Sequence, residues 1–298
     1  MMKQIISLIA ALATLLCLAS CSPSENTDGT TTTTEQTTTT TTTTQPQKKD
    51  PEVNAVSSVI NVYKSFKAKT FESSEGKTLP YRLYLPAKYS EEYTYPVVLF
   101  LHGAGERGND NSSQLKNVVQ KLFNDKSSPF YQCIVVCPQC PSGEQWVNTP
   151  WANGNYRMGK IGISDALSAA VELMDSLLNE YSINPDRQYV MGISMGGFGT
   201  WDLVMRYPDR FAAAIPICGG ADPSQASRIK NVPIQTFHDN TDPTVPVAGT
   251  REMVQAIEDA GGTLITYTET SKYGHGVWDS AVETEGLFDW LFAQRKQS

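Results

Sequence analysis

Two kinds of apolar pattern alternate along this chain from residue 81 onward. "YRLYLP" from Tyr81 alternates apolar and polar residues like a half-buried strand. "YPVVLFLHG" from Tyr95 and "QCIVVCPQ" from Gln132 are short unbroken apolar runs, the form taken by strands covered on both faces. Between Ser164 and Asn184 the residues Leu167, Val171, Met174 and Leu178 recur at helical spacing and stop before Pro185, which predicts an amphipathic crossover helix. A strand "RQYVMG", a helix from about Met195 to Tyr207 stopped at Pro208, and a strand "RFAAAIPICGG" follow. "VPIQTFHD", a helix through Met253, Val254 and Ile257 closed by Gly261 and Gly262, "TLITYTET", and a last helix through Leu287, Phe288 and Leu291 complete the order. Such alternation predicts an α/β fold: a mostly parallel sheet with helices on both faces and its active site at the carboxyl ends of the strands.

The first fifty residues break this pattern. Lys3 and an apolar run from Ile5 to Leu18 have the shape of a secretory signal, expected over residues 1–20. The run is too short for a membrane span. It ends in "LASC", similar to a bacterial lipobox, which makes Cys21 the candidate lipidated residue and the outer face of a bacterial membrane the expected location. The alternative is ordinary secretion with Cys21 as a spare thiol. Residues 21–51 are rich in Thr, Gln, Ser and Pro, with unbroken threonine runs at Thr30 to Thr34 and Thr37 to Thr44, and hold too little apolar surface to order themselves. A disordered linker is expected there, and a single catalytic domain over 52–298, about 245 residues, enough for one well-buried core.

The formal charge of −7 becomes −8 when Lys3 leaves with the leader. An acidic domain without a basic stripe argues against nucleic acid as a partner. "CPQC" at Cys137 to Cys140 has the spacing of a redox pair but lacks the helix start that lowers a thiol's pKa. A disulfide among Cys133, Cys137, Cys140 and Cys218 is compatible with export, though spacing assigns no pairing. The sequence shows no metal-ligand cluster and no phosphate-binding loop, so no metal or cofactor is expected.

The chemistry concentrates in "QYVMGISMGGFGTW", Gln188 to Trp201. Ser194 directly follows a strand and directly precedes a helix, so the chain must reverse there, and Gly192 and Gly196 supply the room. This is a nucleophile elbow, and a serine nucleophile needs a base. His275, in "SKYGHGVWD" after the last strand, is the candidate base, and the acid comes from "FHDNTDPTVP", where Asp242 is preferred and Asp239 stays open. The expected oxyanion donors are the amides of Met195 and Ala104, with Gly105 as the alternative to Ala104. His102 reads as structural behind that loop. Glu106 and Arg107 are expected to pair with each other. Trp146 and Trp278, with Trp151, are candidate substrate-binding aromatics.

Together "LHGAGERGNDN", "CPQCPSGEQW", "GISMGGFGTW", "FHDNTDPTVP" and "YGHGVW" span nearly the whole domain. In that order they resemble α/β-hydrolase esterases of the phospholipase/carboxylesterase-like or polyhydroxybutyrate-depolymerase-like group, near the feruloyl and acetyl-xylan esterases of carbohydrate esterase family one. The resemblance implies an α/β-hydrolase fold and hydrolysis of a carboxylic ester through an acyl-enzyme, with Ser194, Asp242 and His275 at the triad positions. It also implies acyl esters of plant polysaccharides or their fragments as substrates. One departure stands out: His238 is followed by Asp239 where such sequences usually have glycine, which keeps the second carboxylate in play. Other readings are a serine peptidase of prolyl-oligopeptidase type, which the lack of a propeller-sized domain weakens, and a catalytically silent binding module on the same scaffold, which has no physical need for an intact Ser, Asp and His.

Overall fold

The computed structural model describes residues 48–52 and 54–296. The expected leader, Cys21 and most of the expected linker lie outside the described residues. The sheet is preceded by α1 (Val62–Ser65) and has eight strands in chain order: β1 (Lys67–Glu72), β2 (Thr78–Tyr84), β3 (Tyr95–Leu101), β4 (Ile134–Pro138), β5 (Ile183–Ile193), β6 (Ala213–Ile217), β7 (Ile234–Asp239) and β8 (Ile265–Thr270). Between them run α2 (Val118–Leu122), α3 (Asp165–Glu180), α4 (Met195–Arg206), α5 (Ala226–Ile229) and α6 (Ala248–Asp259). Beyond the last strand come α7 (Trp278–Val282) and α8 (Leu287–Ala293).

The spatial order is β1-β2-β4-β3-β5-β6-β7-β8, antiparallel at β1–β2 and β2–β4 and parallel from β4 to β8. This is the mostly parallel α/β-hydrolase sheet, with helices on both faces. Burial explains the two sequence patterns. Every residue of β3, β4 and β6 is buried, whereas β2 alternates. On β3, Val97, Leu99 and Leu101 enter a core closed by α3, α4 and α6, while Val98 and Phe100 enter the opposite core under α2, α7 and α8.

Three local differences from the sequence expectation have physical causes. First, β1 is a sheet edge of alternately exposed residues, too charged for its sequence to announce a strand. Second, the crossover helix ends at Glu180, and Pro185 falls inside β5, where the register against β3 shifts between Tyr95 and Val97; the irregularity accommodates a residue without an N–H. Third, residues 48–50 belong to the domain rather than to a linker running to 51. Lys49 bridges to Tyr93, and Asp50 pairs with Arg187 at 3.0 Å and Arg295 at 2.7 Å.

The start of α3 also secures the loop that follows β4. Ser164, buried at the N-cap, accepts from the Leu167 amide at 3.1 Å and donates to the Trp146 carbonyl at 2.8 Å. Ser164→Ala removes the cap and orphans a buried carbonyl. It should lower the free energy of unfolding by about 1–3 kcal/mol, read from the urea midpoint at constant slope.

Candidate functional site

The chain passes from β5 into α4 through a single residue. Ser194 sits there at φ 54° and ψ −118°, in the positive-φ region that side chains seldom occupy. The glycines on either side are required by contact. A Cβ on Gly196 would collide with the carbonyl of Leu101 at the end of β3, and one on Gly192 with the carbonyl of Gly196. The turn leaves Ser194 Oγ at the carboxyl end of the sheet, 2.8 Å from His275 Nε2.

His275 lies on a short 3-10 turn, Gly274–Gly276, reached from β8. Its Nδ1 donates to Asp242 Oδ2 at 2.7 Å, leaving Nε2 to accept from the Ser194 hydroxyl. Asp242 Oδ1 accepts the amides of Thr244 at 2.8 Å and Val245 at 3.0 Å, so the loop after β7 wraps its own carboxylate. Burial pushes the Asp242 carboxyl up, but hydrogen bonds from His238, His275, Val245 and Thr244 outweigh it and hold the group below the usual carboxylate range. The acid is therefore ionised wherever the protein is folded near neutrality.

Asp239 occupies a different place. Its Oδ1 accepts from Thr241 N at 2.9 Å and Thr241 Oγ1 at 2.5 Å. Its Oδ2 accepts from Thr270 Oγ1 at 2.6 Å and from the amides of Lys272 and Tyr273, both at 2.8 Å. Burial raises its pKa, and these bonds more than reverse that. The carboxylate thus straps the loop carrying His275 onto the end of β7 and makes no contact with the imidazole.

Met195 opens α4 and Ala104 opens a 3-10 turn, Ala104–Glu106, so neither amide has an acceptor within its own helix. A Cβ on Gly103 would lie 3.7 Å from that of Ser194, which places the loop after β3 beside that serine. His102 lies behind that loop. It is buried, its Nε2 accepts from the Cys140 amide at 2.9 Å, and burial depresses its pKa to about 4 against a raising bond with Gly103.

The expected Glu106–Arg107 pair does not form, because the turn sends the two side chains apart. Glu106 is buried against Asn117 Nδ2 at 2.9 Å, and that burial raises its pKa. Arg107 donates to the carbonyls of Ala104 at 2.9 Å and Glu144 at 3.1 Å and lies over the Trp151 ring, 5.8 Å from its centroid.

The three tryptophans separate. The expected substrate-binding Trp146 is instead fully buried, with its Nε1 donating to the His102 carbonyl at 3.0 Å beneath the loop after β3. Trp278 meets the His275 ring edge to face at 5.3 Å. Trp151 is half-buried and borders a cavity of about 410 Å³ shared with Gln145, Asn148, Thr149, Pro150 and Ala152.

All four described cysteines are buried free thiols, including the two of "CPQC". Burial pushes Cys140 up to about 12, an environment opposite to that of a redox thiol. Cys218, offered by the sequence only as a candidate disulfide partner, follows β6 at φ 41° and places its thiol 3.8 Å from the His275 carbonyl. Its sulfur and the donor atoms of Asp242 and His275 lie within 4.8 Å of one another. The latter two are bonded to each other, so this grouping is a hydrogen-bonded relay with a thiol at its side. His238, noted in the sequence only for the aspartate that follows it, also lies beside Asp242. Its adjacency to the acid loop was the available signal.

Comparison with known proteins agrees with this geometry. The model of the Esterase family, described as "putative esterase", matches residues 73–261. A poly(3-hydroxyalkanoate) depolymerase C of Paucimonas lemoignei is 35% identical over 127 residues, covering 42% of this chain and 28% of that protein. A bifunctional acetylxylan esterase/xylanase of Neocallimastix patriciarum is 24% identical over 205 residues, covering 67% and 25%. The chain thus spans about a quarter of the length of these curated relatives. A solved structure described as a thermostable esterase superposes with a TM-score of 0.70 at 39% identity, covering 78% of this chain and 64% of that one. With the family pattern running from Ser73 through Ser194 and Asp242 to Gly261, the chain belongs to the Esterase family.

Proposed function

We propose that this protein is an exported serine hydrolase that cleaves carboxylic esters through an acyl-enzyme on Ser194. Its substrates are acyl esters, feruloyl or acetyl, of plant polysaccharides or their fragments. The observation that carries the reading is the continuous relay from Ser194 Oγ through His275 to the buried Asp242, at 2.8 and 2.7 Å. In the first step His275 Nε2 takes the serine proton as Oγ bonds to the ester carbonyl carbon. The amides of Met195 and Ala104 receive the oxyanion, in a position where the α4 dipole also favours negative charge. Collapse expels the alkoxide, which leaves as the alcohol with the proton from His275. Water, deprotonated by the same nitrogen, then frees the acid and restores Ser194. Asp242 stays ionised throughout and stabilises the imidazolium.

The polysaccharide assignment draws on the motif resemblance and on the acetylxylan esterase relative. Trp151, next to the 410 Å³ cavity, and Trp278, against His275, offer aromatic faces for a sugar ring or an aromatic acyl group. Export rests on the leader-like run and "LASC", which would tether the domain through lipidated Cys21.

Ser194→Ala should abolish labelling by a fluorophosphonate probe and lower kcat by about a millionfold on methyl ferulate or acetylated xylan. Release from a chromogenic prolyl peptide alone would reverse the assignment in favour of a peptidase, and no serine-dependent labelling at all would favour a binding module. The two aspartates should separate cleanly. Asp242→Ala should cost about 10⁴ in kcat, whereas Asp239→Ala should chiefly lower the melting temperature. Both carboxyls sit below their unfolded value of about 3.9, so their contribution to stability is present above that pH and lost as the pH falls further. Denaturation measured between pH 6 and 3 should show this loss in the wild type and a shallower one in Asp239→Ala. Trp151→Ala should raise KM for methyl ferulate by about three- to tenfold, the worth of one aromatic stack, while leaving p-nitrophenyl acetate hydrolysis nearly unchanged.

A further inference from the structure

Behind the acid lies a second, wholly buried histidine that the reaction scheme does not use. His238, on β7, is 0% exposed, and its Nε2 faces Val245 O at 3.0 Å and Asp242 Oδ2 at 3.3 Å. A backbone carbonyl and an ionised carboxylate can only accept, so Nε2 must carry the ring proton. Asp242 Oδ2 is therefore shared: it receives His275 Nδ1 from one side and points toward the His238 N–H on the other.

The opposite nitrogen faces a hydroxyl whose single proton serves either that nitrogen or a carbonyl beyond it. His238 Nδ1 lies 2.7 Å from Thr250 Oγ1 on α6, and that hydroxyl is in turn 2.9 Å from the carbonyl of Gly219, just past β6. Gly219 packs directly on Gly197, three residues along from the nucleophile. A side-chain strut thus runs from the acid through His238 and Thr250 to the floor of α4. Its members come from β7, α6 and the segment after β6. A shift of the acid relative to Ser194 would break it.

The geometry assigns His238 as a positioning residue of the relay, which fixes Asp242 against the nucleophile helix so that His275 meets Ser194 in register. The assignment rests on the reading of Ser194, Asp242 and His275 as a catalytic triad. Misplacing a catalytic group by about 1 Å can cost a hundredfold in rate, and a group acting only through position should alter kcat rather than KM.

The test compares the full chain with its His238→Leu, His238→Gln and Thr250→Val variants. The readouts are kcat and KM on p-nitrophenyl acetate, the rate of fluorophosphonate labelling, and the melting temperature. Gln places an amide donor where Nε2–H stood; Leu fills the space without one. His238→Leu should lose about ten- to a hundredfold in kcat and in labelling rate, with KM within about twofold. His238→Gln should regain most of that loss, and Thr250→Val should lose several-fold in kcat alone. Equal impairment of Leu and Gln variants at matched melting temperatures would overturn the assignment, as would a folded His238→Leu enzyme with undiminished kcat. If His238→Leu does not fold, unchanged kcat in Thr250→Val is the overturning result. Failure of the triad reading would register separately, as wild-type hydrolysis that Ser194→Ala does not reduce.

Discussion

Ser194 is held at φ 54° and ψ −118°, backbone that a serine keeps only when its surroundings allow nothing else. Those surroundings are carbonyl groups. The end of β3 presses on Gly196, and the first turn of α4 presses on Gly192. Because β5 is paired on both sides in the middle of the sheet, the chain cannot relieve this crowding by drifting sideways. The strain is thus sustained by the buried apolar residues of the central strands. Its result is a hydroxyl projecting above the sheet beside two amides that open their own helices.

The partners of Ser194 are positioned by polar contacts instead. The loop after β7 carries two carboxylates three residues apart, and each does a different job because each faces a different way. Asp239 looks toward β8 and gathers five donors from two loops; Asp242 looks back toward His275 and His238. A carboxylate with that many donors is ionised and rigid, and both properties are what the second member of such a relay must have.

Much of this was legible in the chain itself. Unbroken apolar runs marked the doubly covered strands, and the single residue between "QYVMGI" and "MGGFGTW" marked the sharp strand-to-helix turn, because a reversal within so few residues needs glycines on either side. What escaped depends on long-range geometry. The sequence preferred Asp242 but kept Asp239 open, and the two part company only where β8 and the loop beyond it deliver Thr270 and Tyr273 to Asp239. Trp146 looks like a pocket residue until the His102 carbonyl claims its N–H. Glu106 and Arg107 look like a pair until the 3-10 turn points them apart. Edge strand β1 is polar because one side of it meets solvent, a fact of topology rather than of its six residues.

The contact between Gly196 and the Leu101 carbonyl joins the end of β3 to the start of α4 without any intervening side chain. Ser194 and the loop after β3 are consequently joined through backbone alone. Trp151 and the segment 145–152 take no part in that contact, so the surface around their cavity can change while Ser194 keeps its place. A fold arranged in this way can vary its rim without loosening its centre.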